Sequence, residues 1–122
     1  MAETELSREQ LVGCWRIVAP GGSYIELRDD GTARRKDSWK GVSADFTCQI
    51  FWRQIDSSGL ELAYHHSGES EPHIVEEFRV KYLMGKRLEW WRVRLNERVT
   101  QNVMHSEPVC WTRTRPPKSW QE

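Results

Sequence analysis

Between Leu11 and Ala19 the chain reads Leu-Val-Gly-Cys-Trp-Arg-Ile-Val-Ala, and this stretch limits the fold more than any other. A glycine two residues ahead of a tryptophan frees the backbone for a change of direction, after which Trp15, Ile17 and Ala19 alternate with Cys14, Arg16 and Val18. Alternation puts successive side chains on opposite faces, so the segment reads as a strand with one better-buried face. Just upstream, Ser7-Arg8-Glu9-Gln10 fits a capping box with Ser7 as N-cap. Leu11 follows at once, which leaves room for little more than one helical turn.

The same short alternating runs, broken by turn residues, fill the rest of the chain. Pro20-Gly21-Gly22-Ser23 is a turn by composition, and the strand after it sets Ile25 and Leu27 on one face. Asp29-Asp30-Gly31 is the strongest hairpin signal, because Asp-Gly supplies the positive backbone angles of a tight primed turn. The returning strand from Thr32 to Lys36 is mostly polar, as expected at an edge or at a barrel mouth. Asp37 to Phe46 reads as a loop, with Trp39 either pinning it to the body or lidding a cavity.

From Phe46 to Ile55 a strand places Cys48, Ile50 and Trp52 opposite Gln49, Phe51 and Arg53. Asp56-Ser57-Ser58-Gly59 turns it into a run with Leu60, Leu62, Tyr64 and His66 on one side. After a polar loop from Ser67 to Pro72, Ile74 to Leu83 sets Phe78, Val80 and Tyr82 against Arg79 and Lys81. Met84-Gly85-Lys86 turns the chain into its most aromatic strand, with Trp91, Val93 and Leu95 opposed to Trp90, Arg92 and Arg94. Asn96-Glu97 begins another turn, Arg98 to Met104 is a weaker strand, and Pro108 to Thr114 is the last. The tail through Pro116-Pro117 cannot enter a sheet interior.

These runs give about eight or nine short strands and no sustained helical period, an all-β chain whose sequential hairpins close most simply into an up-and-down antiparallel β-barrel. A two-sheet sandwich is the structural rival. The chain of 122 residues is expected to form one domain, 1–122, with its core from about 7 to 115 and a C-terminal tail, 116–122. Such a chain buries roughly two thirds of its unfolded surface without disulfides or a metal.

Eighteen basic and eighteen acidic residues cancel, which argues against nucleic acid as a partner. The densest basic cluster, Arg34-Arg35-Lys36, reads as a solvated strand end. Three widely spaced cysteines cannot all pair within the chain and are expected as reduced thiols. The first residues lack a signal peptide's basic start and apolar run, and no segment is long and apolar enough to span a bilayer. The expectation is a soluble cytoplasmic protein without a membrane partner. Seven tryptophans exceed what a small core usually needs, so an aromatic cavity or contact surface competes with a tightly filled core.

With its helical turn before Gly13, its Gly13-Cys14-Trp15 triplet, its Asp30-Gly31 hairpin and the basic residues ending its last strand, the chain resembles the lipocalin-like domains of the calycin superfamily. The resemblance implies a small β-barrel whose first-strand tryptophan, Trp15, sits at the closed base beneath an arginine, Arg113 or Arg115. A guanidinium over an indole face contributes roughly 0.5–2 kcal/mol. It also implies a cup for a small apolar molecule, although fold alone does not settle function.

Alternation makes Trp52, Tyr64, Phe78, Tyr82 and Trp91 the candidate ligand-binding residues, facing inward, unless they simply fill a small lumen. The face bearing Trp90, Arg92 and Arg94 is either solvated or a polar lumen wall able to hold a carboxylate. Of the histidines, His65 and His66 point to opposite faces and cannot easily share a metal ion. His73 and His105 complete the set of four, but the chain has no tight pair of cysteines to add ligands, and an inward His66 beside Tyr64 would be the one candidate general base. No cofactor and no metal are expected, and no catalytic residue can be named. Three functions compete: binding of a small apolar or aromatic ligand, a protein-interaction module or homodimer built on Trp39, Trp90 and Trp120, and a cyclase or isomerase using the same cup.

Overall fold

The computed structural model describes residues 5–18, 23–39, 42–45, 48–66, 68–97 and 103–121, with 38, 39, 42–45, 95–97, 103–108 and 121 described by backbone alone. It opens with helix α1 (Arg8–Leu11), one turn capped as its sequence requires. Ser7 N donates to Gln10 Oε1 at 2.7 Å, and Gln10 N donates to Ser7 Oγ at 3.4 Å. Nine strands follow: β1 (Gly13–Ile17), β2 (Ser23–Leu27), β3 (Thr32–Trp39), β4 (Val42–Asp45), β5 (Gln49–Asp56), β6 (Gly59–His65), β7 (Ile74–Met84), β8 (Arg87–Glu97) and β9 (Val103–Arg113). Helix α2 (Lys118–Gln121) ends the described chain.

All pairings are antiparallel. β1 lies between β2 and β9, the sheet continues through β8, β7, β6 and β5 to β3, and β3 returns to β2, closing a barrel of eight strands. β4 stands outside the ring. β5 pairs with β3 at Thr32 and Ala33, and β4 takes the same edge of β3 from Lys36 to Trp39. The stretch from Asp37 to Phe46, expected as a loop, is therefore largely a hairpin arm; the side chain of Trp39 lies outside the described residues.

Three further expectations change. The turn after β2 closes Arg28 onto Thr32 across Asp29, Asp30 and Gly31, with Gly31 N donating to Arg28 O. Gly31 at φ 88° and an Asp30 carboxylate accepting from Thr32 N and Oγ1 make it longer than a two-residue primed turn. β8 runs on through Asn96 and Glu97, where a turn was expected. β9 is already a strand at Val103, five residues before Pro108, while 98–102 and the turn at 20–22 lie outside the described residues.

One end of the barrel is plugged. The turns β2–β3, β5–β6 and β7–β8 all lie there, and the α1 segment bonds across them. Leu6 N donates to Ser57 O at 2.7 Å, Gln54 Nε2 donates to Leu6 O at 2.6 Å, and Arg8 Nη2 donates to Asp29 O at 2.6 Å. Leu6 and Leu11 are buried beneath. Above this plug Trp15, Ile25, Leu27, Trp52, Leu60, Leu62, Phe78, Leu88, Trp90 and Trp111 form one apolar core.

The plug shows why residue 13 is glycine. Gly13 has φ 130°, and a Cβ there would fall on Arg113 Nη1. Arg113 Nη1 donates to Val12 O at 2.9 Å, Nη2 donates to Gln10 O at 2.5 Å, and the guanidinium lies 4.0 Å from the Trp15 ring centre. Trp15 Nε1 donates to Leu11 O at 2.9 Å. Trp15 thus closes the base under Arg113, and Arg113 is the cation over it.

Candidate functional site

Parity decides what reaches the lumen. Trp90 is 1% exposed and stacks its ring among Phe78 and Trp111, at 5.4 and 4.7 Å. Leu88, in step with it, is fully buried. Trp90 and Arg92 therefore face inward and Trp91 outward, where Lys81 Nζ sits 5.2 Å from its ring. The inward placement expected of Trp91 is corrected. So is that of Tyr82, for a different reason: the β7–β8 register shifts between Val80 and Tyr82. Val80 and Leu83 both pack on the core, so Tyr82 is turned outward, donating its hydroxyl to Glu89.

Trp52, Tyr64 and Phe78 do face inward, at different levels. Trp52 belongs to the plugged end: its Nε1 donates to Arg28 O at 2.7 Å, and Arg8 lies 4.4 Å over its ring. Phe78 sits among Trp90 and Trp111, whose buried indole N–H groups have no hydrogen-bond partner among the described residues. Their rings meet edge to face at 87°, an arrangement that partly compensates such a donor. Trp90 is thus unavailable to an external contact surface. Trp120 lies 4.7 Å from Arg34, outside β3.

Tyr64 is where the lumen turns polar. It stands next to the end of β6, at the end of the barrel away from α1. Arg35 Nη1 donates to its hydroxyl at 2.7 Å, and the hydroxyl donates to Glu76 Oε1 at 2.6 Å. Arg92 Nη1 donates to Glu76 Oε2 at 3.3 Å, and Arg35 Nε donates to Asp37 Oδ1 at 3.0 Å. β3, β6, β7 and β8 each contribute a side chain to one connected network. Glu76 is 7% exposed and is the one buried charged residue of the described chain.

The electrostatics follow from this depth. Burial, then the Glu76 carboxylate, pushes the Tyr64 phenol well above its ordinary pKa. Burial works against the Arg35 charge, yet Tyr64, Asp37 and Glu76 outweigh it and hold that guanidinium above its ordinary pKa. The arrangement presents two guanidinium groups and a phenol, with Glu76 shared between them. The two guanidinium groups carry more N–H donors than these partners use, so the arrangement can donate hydrogen bonds to an acceptor.

No protein-family model and no curated protein matches the chain.

Sequence alternation alone does not single out Arg35 or Glu76, and it leaves Arg92 open. The run Arg34-Arg35-Lys36 reads as a solvated end, but the three alternate: Lys36 Nζ donates to Ser119 Oγ and Arg34 meets Trp120 outside, while Arg35 points in. The pairing of Ile25 with Arg35 carries the signal, since paired residues share a face. Glu76 lies in step with Ile74 and Phe78 on β7. Arg92 was one of two open readings, settled by Leu88.

Among the described residues no group of three or more His, Cys, Asp or Glu side chains could hold an ion. His65 packs against Phe51 at 5.2 Å, whereas His66 stacks on His73 at 3.7 Å. The side chain of His105 lies outside the described residues. Cys14, Cys48 and Cys110 are unpaired thiols, and no described helix is long and apolar enough to cross a membrane.

Proposed function

We propose that this barrel binds a small organic molecule through its open end, with an apolar or aromatic body and a carboxylate or other hydrogen-bond-accepting head held by the Arg35–Tyr64–Glu76–Arg92 network. The observation that carries this reading is the network itself. Buried ion pairs contribute little net stability, and well-packed apolar residues of similar volume often serve the fold better. Three of the four strands nevertheless spend interior positions on charge at the end away from α1. Below it the interlocked rings of Phe78, Trp90 and Trp111 give an apolar floor, so the ligand sits above them and not among Trp52 and its neighbours. Kinship with the lipocalin-like barrels belongs to the same reading, supported by the Gly13, Trp15 and Arg113 arrangement. So does a reducing, cytoplasmic setting, supported by the three unpaired thiols.

The test is tryptophan fluorescence titration, with native mass spectrometry, against aromatic and aliphatic carboxylates and their neutral amides. The expected result is saturable binding of some acids, weakened about tenfold or more in Arg92→Leu through loss of a charged hydrogen bond, and preference for acid over amide. Binding that ignores both Arg92→Leu and Tyr64→Phe, or no binding across the panel, would sink the reading.

A further inference from the structure

The plugged end of the barrel holds a concavity. It is a cleft of about 190 Å³ lined by Gln10, Trp15, Leu83, Gly85, Lys86 and Arg113. Two lining residues are charged, both positively, and the lining contains no carboxylate. Three other partly buried arginines are compensated: Arg35 by Asp37 and Glu76, Arg92 by Glu76, and Arg79 by Asp56 and Glu77. Arg113 has no such carboxylate among the described residues. Its neighbours are the neutral Val12 and Gln10 carbonyls and the Trp15 ring.

Burial pushes the Arg113 pKa below its ordinary value, and the Cys14 thiol alone opposes this. A half-buried guanidinium without a counter-ion is a charge partly stripped of water and not neutralised. The group carries five N–H donors, so two carbonyls leave others able to meet an oxyanion. Lys86 reaches the same cleft from the β7–β8 turn, which is fixed against β9 by Arg113 N donating to Lys86 O at 2.7 Å. Trp15 and Leu83 supply an apolar wall.

We infer that this cleft is an anion site, taking the carboxylate or phosphate group of a small molecule with Arg113 as forked donor and Lys86 as point charge. It lies at the far end of the barrel from Arg35, Tyr64 and Glu76, and does not depend on how the open end is used.

The experiment is a two-dimensional ¹H–¹⁵N NMR titration of the full chain with inorganic phosphate and, separately, acetate, against sodium chloride at matched ionic strength. Saturable shifts of the Gly85 and Lys86 amides and the Arg113 Nε–H group are expected with phosphate, acetate or both, and not with chloride. Saturation by one alone identifies the oxyanion. Lys86→Glu, an exposed turn substitution, should weaken binding about tenfold or more. Arg113 is left intact because it also anchors α1. Non-saturating shifts, shifts that chloride reproduces, or unchanged affinity in Lys86→Glu would each overturn the inference.

Discussion

Gly13 and Arg113 illustrate how far a single residue can be constrained from the other end of a chain. The guanidinium bonds the carbonyls that α1 leaves open, covers Trp15, and occupies the space where any side chain at residue 13 would begin. Gly13→Ala should therefore cost about 2–4 kcal/mol, from backbone strain together with a displaced cation. Urea denaturation followed by tryptophan emission measures it, and a loss below about 1 kcal/mol would mean that Arg113 has another place to go. The triplet around Gly13 was visible in the sequence, but the choice of Arg113 over Arg115 was not. It is made by register, since Trp15 pairs with Arg113 across β1 and β9.

Strands and their irregularities set the limits of what alternation can reveal. β2, β5 and β6 read correctly because their buried side chains keep one parity. β7 does not: the shift between Val80 and Tyr82 reverses its faces, and no residue there announces a bulge. In β8 the adjacent Trp90 and Trp91 made both faces look apolar, and Leu88 was the tie-breaker. The network joining β3, β6, β7 and β8 was hidden for a physical reason. Arg35, Glu76 and Arg92 are charged residues in lumen positions, against the usual preference for apolar ones.

That network carries a pH signature. Because the native Tyr64 phenol has its pKa raised above the usual value of 10, the stability it contributes is whole below pH 10 and is lost as pH rises further. Wild type should accordingly lose stability more steeply than Tyr64→Phe above pH 10. Denaturant midpoints between pH 8 and 11 compare them directly, and parallel curves would show that the phenol titrates as if exposed.

At the scale of the whole molecule, the tail is part of the barrel's outer wall. Cys14 alternates with the inward Trp15 and so points out, yet it is 5% exposed. Thr114 N donates to Cys14 O at 3.1 Å, and the chain reaches β3 again at Ser119 and Trp120. Residues 114–120 thus run from β1 to β3 on the outside of the barrel, the side on which the thiol lies, and its pKa is pushed by burial, followed by Glu26, up to about 11; we expect this tail to be what shields it. At pH 8 iodoacetamide should modify Cys48 and Cys110 well before Cys14, and removal of residues after Thr114 should abolish that protection. Equal rates in the intact chain would show that the tail does not cover it.

The pairing of Trp15 with Arg113 also imposes an order on synthesis. β1 leaves the ribosome among the first segments, and its second neighbour, β9, is among the last. Until β9 is made, the edge of β1 is an open row of backbone donors and acceptors, the kind of surface that recruits foreign strands. Closure must also overcome the chain entropy of a loop spanning most of the protein. The nascent barrel is therefore at its most vulnerable just before completion, and β1, short and followed at once by a turn-rich segment, offers a small target while it waits.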